Sequence, residues 1–253
     1  ALRPEGTAGV ARAFAEHRPV PPFKVWYAAP NFRYEAPQAG RLRQHHQLGV
    51  EAIGVEDPDL DAEVIVLLAD LFASLGLQRV RLALNSMGAP EDRARFGDAI
   101  RQHFDAHLDA LHPEDREKVP GNPLRVLDSK RPESADVVAA APSVLDGLSD
   151  DAAARFERVQ QGLRAAGVAF GIEPRLVRGL DYYTHTTFEF QADALESAQR
   201  TIGGGGRYDG LVAALGGPPT PGVGFGCGIE RALLGCDAEA TFAVADVVPA
   251  LDG

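Results

Sequence analysis

The sequence predicts an α+β domain, an antiparallel β-sheet flanked by helices and carrying a small helical insertion. Three observations lead there. Strand-like runs follow one another through loop-like links, at Lys24 to Glu35 with His45 to Gly54 and again at Thr186 to Gln191 with Gly222 to Ile229. Helical patterns are interspersed without the strict strand–helix alternation of a parallel sheet. Between about His112 and Ala166, five prolines divide a charged, helix-rich stretch whose texture differs from both flanks.

The elements read in order as follows. Residues 8–17 are Ala-rich and helical, and Pro19, Pro21 and Pro22 stop that helix. Lys24 to Glu35 forms a strand around Val25-Trp26-Tyr27, with Pro30 interrupting it before Phe32-Arg33-Tyr34. Gln38-Ala39-Gly40 is turn-like and His45 to Gly54 alternates as a second strand, so the pair makes an antiparallel hairpin with a long loop. Asp57-Pro58-Asp59 starts a helix that runs to Leu75 and ends at Gly76. Val80 to Leu84 is a strand. Phe96, Ile100, Phe104, Leu108 and Leu111 set an amphipathic helix over Pro90 to Leu111. Arg175 to Tyr183 and Thr186 to Gln191 are strands, the second with Phe188 and Phe190 on one face and Thr187 and Glu189 on the other. Gly222 to Ile229 is an apolar, Gly-spaced strand leading into a helix near Glu230.

Composition narrows the function. The 253 residues are 45% hydrophobic and 24% charged, which suits a folded globular chain. No apolar run approaches the roughly 18 residues of a membrane span. Two cysteines, Cys227 and Cys236, make neither a disulfide framework nor a four-cysteine zinc site, and a reducing, cytoplasmic setting is the expectation. The net charge of −11 disfavours a protein that coats nucleic acid. Yet the first fifty residues hold seven Lys and Arg against three acids. That local excess fits an anionic substrate such as a nucleotide, or simply a solvated arginine surface.

Four segments could carry chemistry. Arg33 ends a strand, where a rigid guanidinium fork can bind a phosphate or carboxylate, and Arg41 and Arg43 would share one strand face. Arg178-Gly179-Leu180-Asp181-Tyr182-Tyr183 can place a cation and two hydroxyls in a pocket, or pack as a core strand. Gly203 to Gly206 lacks a P-loop ending; it allows close backbone approach to a ligand, and a tight turn explains it equally well. Gly222, Gly224, Gly226 and Gly228 leave one strand face bare, so that a flat ring could lie on it, with Arg231 at the strand-to-helix junction. His45 and His46 are adjacent and point to opposite faces, so they do not share a metal, and no metal ligand set is expected.

Taken together, Leu2-Arg3-Pro4-Glu5-Gly6-Thr7, Phe32-Arg33-Tyr34-Glu35, the run from Gly40 to Gln47, Arg178 to Tyr183, Gly206-Arg207-Tyr208-Asp209 and Gly228-Ile229-Glu230-Arg231 closely resemble the catalytic domain of histidyl-tRNA synthetases. The resemblance spans nearly the whole chain. Residues 32–51 look like the second motif of class II synthetases and 222–234 like the third.

The resemblance implies a class II synthetase-like, six-stranded antiparallel sheet with ATP bent in the site. It implies a catalytic core in two parts, 1–111 and 167–236, a helical insertion at 112–166 that leans on the tRNA acceptor arm, and a tail at 237–253. A first motif before Leu2 and an anticodon-binding domain after about residue 240 are features of the family that the chain is expected to lack. By the same resemblance, Arg33 holds the α-phosphate, Arg231 the γ-phosphate, and Glu35 the adenine side, with Arg41 and Arg43 also at ATP. Glu5, Thr7, Gln47 and Glu51 read the histidine ammonium and its surroundings, and Tyr182 and Tyr183 shape the imidazole pocket. Arg178 bridges the histidine carboxylate and the α-phosphate, which makes Arg33 and Arg178 the catalytic pair. Magnesium bridges the outgoing phosphates. The partners implied are L-histidine, ATP, tRNA(His) and a second copy of the chain. A rival within the same fold is the histidine-sensing regulatory subunit of ATP phosphoribosyltransferase.

Overall fold

The computed structural model describes residues 2–34, 42–77, 79–127, 129–176, 182–193, 195 and 200–236. Helix α1 (Thr7–His17) precedes the hairpin of β1 (Phe23–Phe32) and β2 (Gln44–Ile53), then come α2 (Pro58–Ser74), β3 (Val80–Ser86) and α3 (Pro90–Ala106). Short helices α4 (Pro113–Arg116) and α5 (Ala135–Ala139) lead to α6 (Asp150–Ala165) and β4 (Phe170–Ile172). The chain continues through β5 (Thr184–Ala192), β6 (Thr201–Arg207), α7 (Leu211–Ala214), β7 (Gly222–Gly228) and α8 (Ile229–Gly235).

The strands form one sheet in the order β1-β2-β7-β6-β5-β3-β4. Every pair is antiparallel except β3 with β4. The sheet is therefore seven-stranded and mixed, not six-stranded and wholly antiparallel. The added strand is short: Phe170, Gly171 and Ile172 leave α6 and lie parallel to Leu82, Ala83 and Leu84.

Helix α2 explains which face of the sheet is the core. Asp57 caps it by accepting a hydrogen bond from the Asp59 backbone at 2.9 Å, and Pro58 fills its first turn. Its buried Ile65, Leu68 and Phe72 meet Phe188 and Phe190 of β5 and Val223, Phe225 and Cys227 of β7. With alternate strand residues committed to that core, the other face is left for the small and polar residues between them. From α6, Phe156, Val159 and Leu163 join the same core. A second apolar cluster gathers Phe96, Ile100 and Phe104 of α3 with Val119, Val126 and Val137. At its side the buried Asp115 accepts hydrogen bonds from Lys118, Ser129, Ser134 and Arg131. Burial alone would raise that carboxyl; these donors outweigh it and hold the group well below the usual carboxylate range.

Several expectations need correction. Pro30 does not interrupt β1, because β1 lies at the sheet edge, where a missing N–H is tolerated. Helix α3 ends at Ala106, since His107 leaves helical geometry, and Leu108–Ala110 forms a separate 3-10 turn. Leu111 still reaches the second cluster, so the periodic spacing recorded burial rather than one continuous helix. Pro174 and Arg175 sit in a turn and Tyr182 in another, so the strand expected over Arg175 to Tyr183 is absent from its described residues; 177–181 lie outside them. The glycine run is neither a turn nor a positive-φ loop. Gly203 to Gly206 are buried, extended residues of β6, deep in the sheet. A Cβ on Gly205 would stand 1.9 Å from the Gly224 carbonyl oxygen, so neighbouring strand backbone is what excludes a side chain there.

Candidate functional site

The site is assembled on the sheet face opposite α2. Along β2, Gln47, Gly49 and Glu51 share that face, while Val50 and Ala52 turn to the core. Antiparallel partners share a face, so Tyr27 stands beside Gly49, and Glu51 beside Gly224. The glycines are spaces that the larger groups fill. A Cβ on Gly49 would lie 2.2 Å from the Tyr27 ring, one on Gly224 1.9 Å from a Glu51 oxygen, and one on Gly222 2.4 Å from the Tyr208 ring. The alternate glycines of β7 thus make the bare face that their spacing suggests, and protein side chains already lie over part of it.

Glu51 is the centre. It is 0% exposed. Its Oε1 accepts hydrogen bonds from the Thr7 hydroxyl at 2.6 Å and the Tyr27 hydroxyl at 3.2 Å, and its Oε2 from the Tyr208 hydroxyl at 2.6 Å. Burial disfavours the carboxylate and these three donors offset only part of that, so its pKa rises from 4.5 to about 8. Burial, reinforced by the nearby carboxylates, pushes the Tyr27, Tyr182 and Tyr208 hydroxyls above their ordinary range and keeps them as donors. A buried carboxyl ringed by hydroxyls is suited to accept an N–H of a polar heterocycle or an ammonium.

Around this centre, Asn31 donates to the Gln47 side-chain oxygen at 2.6 Å. Glu5 accepts from the Ala8 backbone at 3.1 Å and so holds the start of α1. Arg33 donates from Nε to the Pro4 carbonyl at 2.9 Å, tying the end of β1 to the segment that carries Glu5 and Thr7. The Tyr182 and Tyr183 rings lie 5.0 Å apart, and Tyr182 meets Tyr208 edge-on at 6.0 Å. Behind this pair is a cavity of about 340 Å3 lined by Pro90, Arg93, Tyr182, Tyr183, Leu211 and Ala214, among others.

The anion-binding expectations divide. Phe32 pairs with Gln44 and Gln47 with Gly228, so Arg33 and Arg231 both lie where β1 ends and β7 runs into α8. Arg231 donates to the Thr201 carbonyl at 3.0 Å. Its neighbour Glu230 accepts from the His46 backbone at 3.0 Å and contacts the His46 ring at 2.8 Å, binding α8 to β2. Arg43 is exposed and stacks over Tyr34 at 4.7 Å, and it precedes β2 rather than lying on it. Glu35, Arg41 and Arg178 fall outside the described residues. Sequence reasoning had given no role to Tyr27, Asn31 or Tyr208. The signal for the first two was present, since both fall on the face of β1 that pairs with Gly49 and His45. Tyr208 gives no such local signal, because its reach to Glu51 crosses a strand that separates them in the sheet.

A sequence model of the histidyl-tRNA synthetase family matches residues 1–232. The chain belongs to that family. It is 50% identical over 243 residues to the histidine–tRNA ligase of Geobacillus kaustophilus, covering 94% of this chain and 57% of the relative. It is likewise 50% identical over 242 residues to that of Parasynechococcus marenigrum, covering 95% and 56%. The chain therefore spans a little over half the length of the curated relatives it matches. Among solved structures, apo histidyl-tRNA synthetase of S. aureus superposes with a TM-score of 0.74 at 38% identity, covering 92% of this chain and 56% of that one. A Bacillus halodurans protein described as an ATP phosphoribosyltransferase regulatory subunit/histidyl-tRNA synthetase shares the fold, with a TM-score of 0.66 at 24% identity, covering 93% and 65%.

Proposed function

We propose that the chain is the catalytic part of a histidine–tRNA ligase, which activates L-histidine with ATP and passes the histidyl group to tRNA(His). The observation that carries this reading is the buried Glu51 carboxyl, ringed by Thr7, Tyr27 and Tyr208, on the strand β2 whose opposite end adjoins Arg33 and Arg231. Glu5, Thr7, Gln47 and Glu51 read the histidine ammonium and its surroundings, and Tyr182 and Tyr183 shape the imidazole pocket. A pocket of polar partners rejects analogues that cannot satisfy them.

The histidine carboxylate then attacks the α-phosphorus in line. The new O–P bond gives histidyl-adenylate as the bond to pyrophosphate breaks. No protein nucleophile is needed, so the chain contributes positioning and charge. Arg33 steadies the α-phosphate, Arg231 the γ-phosphate, and Arg178 bridges the carboxylate and α-phosphate. Glu35 lies toward adenine, with Arg41 and Arg43 at the nucleotide. Magnesium would enter with ATP as part of the substrate and offset charge on the departing pyrophosphate. In the second step the terminal ribose hydroxyl of tRNA attacks the adenylate carbonyl and AMP departs. The helical insertion at 112–166 faces the acceptor arm of tRNA. Assembly is as a homodimer, in the cytoplasm.

Histidine-dependent ATP–pyrophosphate exchange tests the reading. Exchange that needs histidine and is lost in Arg231→Ala supports it. Histidine binding without ATP binding would instead favour the histidine-sensing regulatory reading.

A further inference from the structure

Glu51 and Tyr208 belong to strand β2 and to the residue just after β6, and β7 runs between those strands. Their hydrogen bond therefore spans two strand spacings, and something has to hold the two backbones in register. Beneath the sheet, on the α2 side, lies Arg207, also 0% exposed. Each of its N–H groups has an acceptor. Nε meets the Asp61 carboxylate at 2.9 Å, Nη2 reaches Asp61 and the Asp57 carbonyl, and Nη1 reaches the Val55 carbonyl at 3.2 Å and Asp209 at 3.1 Å. Asp61 is fixed in turn by the Thr186 hydroxyl at 2.6 Å.

Val55 and Asp57 follow directly from the strand that carries Glu51, and Arg207 is the chain neighbour of Tyr208. The guanidinium thus ties the β2 exit to the β6 exit from below, while the Tyr208–Glu51 bond joins the same two segments from above. Asp209 extends the tie to β7 by accepting from the Gly222 backbone at 3.3 Å, and the Tyr208 backbone donates to the Gly222 carbonyl at 2.7 Å.

We infer that Arg207 is a positioning residue for amino-acid recognition, clamping the β2 and β6 exits so that the Tyr208 hydroxyl holds Glu51 in its receiving geometry. The inference rests on the reading that Glu51 takes part in binding histidine. A planar fork with five donors is required here. Lysine keeps the charge but cannot reach Asp61, Asp209 and two carbonyls together.

The test is calorimetric titration of the full chain with L-histidine and, separately, with ATP. The proteins are the parent, Arg207→Lys, Tyr208→Phe, the double variant and Asp209→Asn. Arg207→Lys and Tyr208→Phe should each weaken histidine roughly ten- to a hundredfold, as leaving a buried polar group unsatisfied does. ATP affinity should stay within about twofold, and the double variant should be no weaker than the worse single one. Asp209→Asn, which keeps an oxygen for Gly222, should show the same selectivity at smaller size. It decides the matter if Arg207→Lys fails to fold. Histidine and ATP weakening alike, or effects that multiply in the double variant, would overturn the clamp. So would Arg207→Lys binding histidine like the parent while Tyr208→Phe does not. A parent that binds no histidine would overturn the functional reading itself and this inference with it.

Discussion

Replacing Glu51 by glutamine separates the cost of a buried carboxylate from its use. The side chain is fully buried, and its pKa climbs from 4.5 to about 8. In the unfolded chain it returns to water and to its ordinary value. Between those two pH values the folded state keeps a proton that the unfolded state has lost. The resulting stability is full below about 4.5 and is lost as the pH rises through about 8. At about 1.4 kcal/mol for each tenfold change in proton affinity, the ceiling is about 5 kcal/mol. Polar surroundings and relaxation on ionisation soften a buried charge, so about 2–3 kcal/mol is the expected size. Glutamine keeps the shape and cannot ionise. The assay is urea unfolding of the parent and Glu51→Gln at about pH 5 and about pH 8.5. Over that interval the parent should lose about 2–3 kcal/mol more than the variant. Parallel losses in the two proteins would refute the argument that Glu51 is held neutral by burial.

Three further outcomes follow from the geometry. Gly224→Ala puts a Cβ 1.9 Å from Glu51 Oε2 and 2.5 Å from the Val50 carbonyl, so it should cost about 1–3 kcal/mol in denaturant unfolding and abolish histidine binding by calorimetry. Asp61→Ala leaves the buried Arg207 with Asp209 as its remaining carboxylate partner and should cost about 3–5 kcal/mol, read by urea midpoint; a cost near zero would mean that water reaches the guanidinium. Glu230→Gln weakens the half-exposed contact with His46, so stability should change by less than about 1 kcal/mol while ATP affinity falls several-fold, because α8 carries Arg231.

Local patterns alone determined much of this protein. Alternation set Phe188 and Phe190 against Thr187 and Glu189, and Asp57-Pro58 marked the start of α2, because strand parity and helix caps depend on residues close in the chain. The motif run from Arg3 to Arg231 carried the family, and a matching family model now spans 1–232. What the sequence did not show were relations between strands. The glycine run looked like a loop because a single chain gives no sign that its Cβ positions are filled by the backbone of β7 and the ring of Tyr183. Pro30 looked like a break because tolerance for proline depends on lying at an edge, which only strand order defines. Tyr208 and Glu51 are 157 residues apart, and their 2.6 Å bond exists because the sheet places β7 between them and Arg207 ties their strands from below. Pairings of that kind are decided by closing long loops against a common core, a tertiary event that no local window of residues encodes.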